Sequence, residues 1–200
     1  MIATSEGGTV DDGQVRLETA IGKMDRASME VRYRVTNGLE WPILLLTPLP
    51  QFDEDTLRGV PGRVYTYVDP EGILHITKRL WLMPDDIDVV VPEVPFATEV
   101  LPRKAFSERF TLSLPVKLEL PYLLEPEEFD KPREELFGVA SGVVFSVGYL
   151  SEEHGPLRFG PADPDSGASL TVRYGVAAEN QRILEGGLLR IGVPVKDLAR

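Results

Sequence analysis

The chain has no cysteine, and that absence excludes disulfides, thiolate metal sites and a cysteine nucleophile. Histidine is nearly absent too, with only His75 and His154 present. A Ser-His-Asp triad would have to use one of them, and no Gly-x-Ser-x-Gly elbow stands near either. Both are expected to be solvated surface side chains, and no catalytic residue is assigned. Long apolar runs are also missing. The longest, Ile43 through Leu46, lies between Pro42 and Pro48 and falls far short of the roughly 18 apolar residues that a membrane helix needs. Residues 1–12 carry no basic-then-apolar leader, so the expected location is cytoplasmic.

Positive charge is scarce: 21 basic residues face 32 acidic ones, for a net charge of −11. Such a field repels nucleic acid and anionic membranes, so neither is an expected partner. Arginine outnumbers lysine by 15 to 6, the bias of a GC-rich bacterial genome. No phosphate loop is present either. The short glycine stretches around Gly59 and Gly62 and at Gly186-Gly187 lack the lysine and hydroxyl such a loop needs, and they read as turns.

What the chain does have is punctuation. Seventeen prolines and 18 glycines divide it into short segments, most of them alternating with period two, the strand signal rather than the helix signal. Met29, Val31, Tyr33 and Val35 face one way and Glu30, Arg32, Arg34 and Thr36 the other, with Asn37-Gly38 as a turn. Residues 42–49 are apolar on both faces, as in a strand covered on both sides. Residues 64–68 and 73–82 are expected to pair as a hairpin through the turn at Asp69 to Gly72. Residues 88–94 read as an edge strand, since Pro92 and Pro95 interrupt a ladder. Residues 105–115 alternate well except that Glu108 falls on the apolar side, which predicts a bulge there. Val143, Phe145, Val147 and Tyr149 point inward from 139–150, and Leu170, Val172, Tyr174 and Val176 mark a further strand. Gly186-Gly187 reads as the turn of a closing hairpin with arms 181–185 and 188–195. Helix is confined to one short stretch near 130–138, with Pro132 early and Gly138 at its stop.

Together these segments predict an all-β chain. The expected fold is one antiparallel, immunoglobulin-like β-sandwich of about ten strands over residues 13–195, with barrel closure as the structural alternative. Residues 1–12 are expected to be a flexible lead and 196–200 a tail. Val31, Tyr33, Val35, Phe110, Leu112, Val143, Phe145 and Val172 should share one core. The order of motifs is generically similar to bacterial immunoglobulin-like domains: a strand ending in Thr36-Asn37-Gly38, a proline-flanked apolar strand, Leu101-Pro102, then Phe106 to Phe110.

Chemistry-bearing clusters are weak. Acid pairs such as Asp85-Asp86 and Glu127-Glu128 lie in loop sequence, which does not supply the spacing that glycoside hydrolysis requires. Asp163 and Asp165 resemble the first ligands of a calcium loop, but no glutamate closes it, and Asx-turn chemistry accounts for the stretch. No metal site and no cofactor is expected. The aromatics carry the remaining signal. Trp81, Arg79 and His75 share one face of 73–82, and Tyr65 and Tyr67 neighbour them on the paired strand, the composition of a binding surface. The expected function is therefore a non-catalytic protein-binding or structural module of the bacterial cytosol, its partner another protein or a second copy of itself. A carbohydrate-binding or carbohydrate-active protein, stacking sugar on Trp81 or Trp41, is the alternative. A cytosolic protease inhibitor presenting residues 49–62 is the third reading.

Overall fold

Period-two alternation and dense proline commit this chain to short strands, and the computed structural model is mostly β. It describes residues 5–11, 14–53, 56–83, 95–121, 135–153, 157, 160 and 170–198. In chain order the first strands are β1 (Ser5–Asp11), β2 (Val15–Met24), β3 (Ser28–Asn37), β4 (Ile43–Leu45), β5 (Leu49–Asp53) and β6 (Thr56–Val60). Then come β7 (Tyr65–Val68), β8 (Ile73–Lys78), β9 (Phe96–Val100), β10 (Ala105–Ser113), β11 (Val116–Lys117), β12 (Glu135–Ala140) and β13 (Gly142–Ser151). The chain closes with β14 (Leu170–Thr171), helix α1 (Tyr174–Asn180), β15 (Arg182–Glu185) and β16 (Val193–Leu198).

A four-stranded sheet runs β1-β2-β3-β10, and a larger sheet runs β14-β9-β4-β13-β8-β7 with β15 also on β13. One core lies between them. Leu17, Ile21, Val31, Tyr33, Val35 and Phe110 from the first sheet meet Ile43, Leu45, Leu74, Ile76, Val143, Phe145, Val147 and Tyr149 from the second. A smaller apolar cluster covers the opposite face of the large sheet, where Leu44, Leu46, Ala97 and Leu150 pack with Leu80, Val172 and Ala177 of α1. This is why residues 42–49 are apolar in both phases: β4 and β13 are covered on both sides. A three-stranded sheet, β11-β16-β12, and the β5–β6 hairpin complete the described residues.

The hairpin expected from 64–68 and 73–82 is present as β7 paired antiparallel with β8. Its turn is built by Asp69, whose carboxylate accepts hydrogen bonds from the Glu71 and Ile73 N–H groups at 2.9 Å. Gly72 takes φ of +80°, a value that favours glycine.

Several expectations are corrected. There are sixteen strands rather than about ten among the described residues, because long segments break into short pairs. Pairing is mixed: β8 with β13 and β11 with β16 are parallel. Of the lead expected at 1–12, residues 5–11 form β1 and pair with β2. The tail at 196–200 begins inside β16, whose pairing with β12 reaches Leu198. The helix expected near 130–138 lies mostly outside the described residues, and its end, 135–138, is strand β12 paired with β16. The helix is instead α1, where the 170–176 strand was expected. Tyr174, Ala177 and Ala178 match a helical face as well as Val172, Tyr174 and Val176 match a strand, and burial of Ala177 favours the helix. Val172 accordingly joins the second cluster, not the first.

Gly186-Gly187 makes no hairpin either. The chain continues along β13, with Gly186 N–H donating to the Phe145 carbonyl at 2.7 Å and Leu189 exchanging two 2.9 Å bonds with Val143. Glycine is needed at 186 because a Cβ would come within 2.9 Å of the Thr19 side chain. The edge strand at 88–94, His154, and Asp163 and Asp165 lie outside the described residues.

Candidate functional site

Two polar clusters stand out, one on the surface and one between the sheets. The surface cluster begins with the β7–β8 register. Tyr67 lies opposite His75, so their side chains leave the same face. Their rings stack with centroids 4.6 Å apart and planes within 4°. His75 Nε2 lies 2.9 Å from Asp69 Oδ2, which ties the stack to the turn. The Ile73 N–H, and after it the His75 contact, hold the Asp69 carboxyl below the usual carboxylate range. Burial pushes the Tyr67 hydroxyl up against the opposing charge of Arg79.

Beyond β8 the ladder ends, and residues 79–83 are positioned by α1 instead. The Gln181 amide grips Leu80 at both backbone atoms: Leu80 N–H donates to Oε1 at 2.9 Å, and Nε2 donates to the Leu80 carbonyl at 3.1 Å. Met83 N–H donates to the Tyr174 hydroxyl at 2.7 Å. Held between these anchors, Trp81 meets Tyr67 edge to face at 5.8 Å and 83°. The Arg79 guanidinium lies 4.1 Å above the indole, the geometry of a cation–π pair. Trp81, Arg79 and Tyr67 are half-buried, and Leu82 beside them is 60% exposed. Among the described residues the Trp81 indole N–H has no hydrogen-bond acceptor.

Of the five residues singled out from the sequence, the structure brings together Trp81, Arg79, His75 and Tyr67. Tyr65 does not join them. It is fully buried, with Arg63 over its ring at 5.7 Å, because its partner Thr77 lies at the closed end of the face, hydrogen-bonded to Ser146. Trp41 is also no free platform: its indole N–H donates to Ser151 Oγ at 2.8 Å while the ring packs on the core. Removing the Gln181 grip by Gln181→Ala should cost about 1–2 kcal/mol in chemical denaturation and shift Trp81 fluorescence. An unchanged emission spectrum would show that the helix does not position the indole.

The second cluster was missed. Glu108 makes no bulge: β10 pairs with β3 without interruption from Ala105 to Ser113. Its carboxylate turns into the core and meets Lys78, whose side chain is fully buried, at 2.7 and 2.8 Å. Tyr33 O–H donates to Glu108 Oε2 at 2.6 Å and Gly62 N–H to Oε1 at 3.0 Å, while the Lys78 ammonium also donates to Thr47 Oγ1 at 3.2 Å. Burial works to raise the Glu108 pKa, but the charge of Lys78 and these hydrogen bonds outweigh it and the net shift is down. Burial also lowers Lys78 and raises Tyr33 well above its ordinary value. A substrate has no access to an amine enclosed in this way. The cluster fastens β8 of one sheet to β10 and β3 of the other.

The signal for it was in the phase of the alternation. Lys78 stands in step with Leu74 and Ile76, and Glu108 in step with Phe106 and Phe110, so each charge falls on an apolar face and each answers the other. Among the described residues no three His, Asp or Glu side chains converge as a metal site would require, and no helix is long and apolar enough to cross a membrane. No family model, curated protein or solved structure matches this chain.

Proposed function

We propose that the protein is a non-catalytic binding module that engages another protein through the Trp81 and Arg79 shelf. The carrying observation is the pre-stacked Arg79–Trp81–Tyr67–His75 array, half-exposed and anchored by Gln181 and Tyr174. Tryptophan and arginine dominate the hot spots of protein interfaces, and a rigid array loses little entropy when it docks. The framework, in this reading, is an immunoglobulin-like sandwich, supported by the two sheets that enclose one core. A bacterial cytoplasm is the proposed setting. No cofactor and no metal enters the proposal.

A sugar-stacking role is less well supported. Tyr67 and Trp81 stand at 83° rather than coplanar, and Tyr67 and His75 occupy each other's faces. The inhibitor reading would use the β5–β6 hairpin, whose tip at 54–55 lies outside the described residues.

The test is the double variant Trp81→Ala, Arg79→Ala. A photo-reactive residue at Leu82 identifies the partner, and calorimetry with the purified partner follows; sedimentation over a concentration series does the same for self-association. Loss of a hot spot contributes about 2 kcal/mol or more, so roughly a thirty-fold weaker affinity is expected with little change in melting temperature. A folded variant that binds its partner normally would move the interface elsewhere. A variant that unfolds would assign Trp81 to the core.

A further inference from the structure

The shelf leaves a charge unanswered. Among the described residues the Arg79 guanidinium donates no hydrogen bond and meets no carboxylate within ion-pair distance; its close contact is the Trp81 ring, 4.1 Å away. The N–H donors of a guanidinium lie in its own plane, so one that covers an indole with its face keeps them for another group. Arg79 is half-buried, and water therefore answers these donors only in part.

The seat of this side chain is built by the sheet. Gly148 of β13 lies under it: a Cβ there would stand 3.1 Å from Arg79 Cβ and 2.4 Å from Gln181 Oε1, so a side chain at 148 would push both aside. Ile183 of β15 stands opposite Gly148, which puts it on the same face, and it is 44% exposed. Glu185 lies farther along that face, opposite Ser146, close enough to act on the Tyr67 hydroxyl. It makes no ion pair with Arg79, and the Asp69 carboxylate is taken by His75. Arg79 is thus held beside an exposed aliphatic side chain with its donors free.

We propose that the partner protein places an aspartate or glutamate side chain at Arg79, held by paired N–H bonds, with an aliphatic neighbour on Ile183. The inference rests on the shelf being the interface and names what the shelf takes. Charge complementarity selects the occupant, because an unpaired guanidinium fork matches a planar carboxylate. A neutral or basic segment would cover Arg79 and leave its donors unmet, the costly outcome. A phosphate carries close to two charges and would meet Glu185 and the net charge of −11 as well as Arg79.

The probe is the blocked tripeptide acetyl-Leu-Glu-Leu-amide, titrated to millimolar concentration into the full chain labelled with nitrogen-15. The Arg79 Nε–H and Trp81 indole N–H resonances, assigned by their loss in single variants, report the site. Both should shift and saturate together. The same tripeptide with glutamine at its centre should bind about ten-fold more weakly, since it lacks the charge that strengthens each bond. Arg79→Lys keeps the positive charge but not the fork, and should weaken the glutamate peptide about five-fold at an unchanged melting temperature. Absence of saturable shifts, equal binding of the glutamine peptide, or indifference to Arg79→Lys would overturn the proposal. Tighter binding of a phosphoserine-centred peptide would overturn it in favour of phosphate. The same variant separates this inference from the shelf itself. If the partner is lost with Trp81→Ala, Arg79→Ala yet held normally by Arg79→Lys, the shelf stands and the carboxylate falls; if the partner is held by both variants, the shelf falls too.

Discussion

Phe145→Ala should destabilise the protein by about 3–5 kcal/mol, the range for deleting a large aromatic from a packed core. Phe145 is 1% exposed on β13, the strand on which β8, β4 and β15 all pair. Its ring meets Tyr33 at 4.5 Å and Phe110 at 6.1 Å, so it is the point where the central strand of one sheet touches β3 and β10 of the other. The cavity left by alanine cannot collapse easily, because the backbone on either side is held in ladder hydrogen bonds. Urea unfolding measures the loss. A value under about 1 kcal/mol would place Phe145 at the margin of the core rather than at its centre.

Lys78→Met is expected to cost as much, about 3–5 kcal/mol, although methionine has nearly the same length and is apolar. The cost lies in what is left behind. Glu108 would keep its hydrogen bonds from Tyr33 and Gly62 but would lose the charge that favours its ionised form in a low-dielectric interior. Its pKa would then rise, and the variant would gain stability as the carboxyl takes up a proton. In the wild type the sign is opposite. The folded-state pKa of Glu108 lies below its ordinary value, so its contribution is present above roughly pH 4.5 and is lost as pH falls through the lowered value. Stability against pH should therefore fall more steeply on the acid side for the wild type than for Glu108→Gln. Equal slopes would show that the carboxyl is not depressed by its surroundings.

How much of this could be read beforehand depends on where the partner of each residue lies. The faces of β3 and β10 were legible because their polar side meets solvent and their apolar side meets the core, so alternation alone reports them. The two-sided burial of β4 was legible for the same reason, since both phases are leucine and isoleucine. The far face of β13 was not, because Val144, Ser146 and Gly148 are small and announce nothing about the helix side that covers them. α1 was misread because its apolar residues satisfy both periods, and only its packing against Leu44, Leu46 and Leu150 decides between them. Glu108 was misread because a carboxylate in an apolar phase is ordinarily a defect. Its justification is Lys78, thirty positions earlier in sequence, and the two meet only once the sheets stack. The composition of the shelf was legible in Trp81, Arg79, His75 and Tyr67. Its placement was not, since β8 stops at Lys78 and the next five residues are held by Tyr174 and Gln181 from a helix nearly a hundred residues away.

The claim on which the account of the fold rests is that Lys78 and Glu108 fasten the two sheets together. A double-mutant cycle of Lys78→Met and Glu108→Gln tests it most directly. Four proteins are unfolded in urea at neutral pH and the coupling is taken from their free energies. The expected result is a coupling of about 2 kcal/mol or more, with the double variant folded and less damaged than the sum of the single ones. Strictly additive losses would mean that the two side chains do not act as a pair, and would contradict the account of how the sheets are held together.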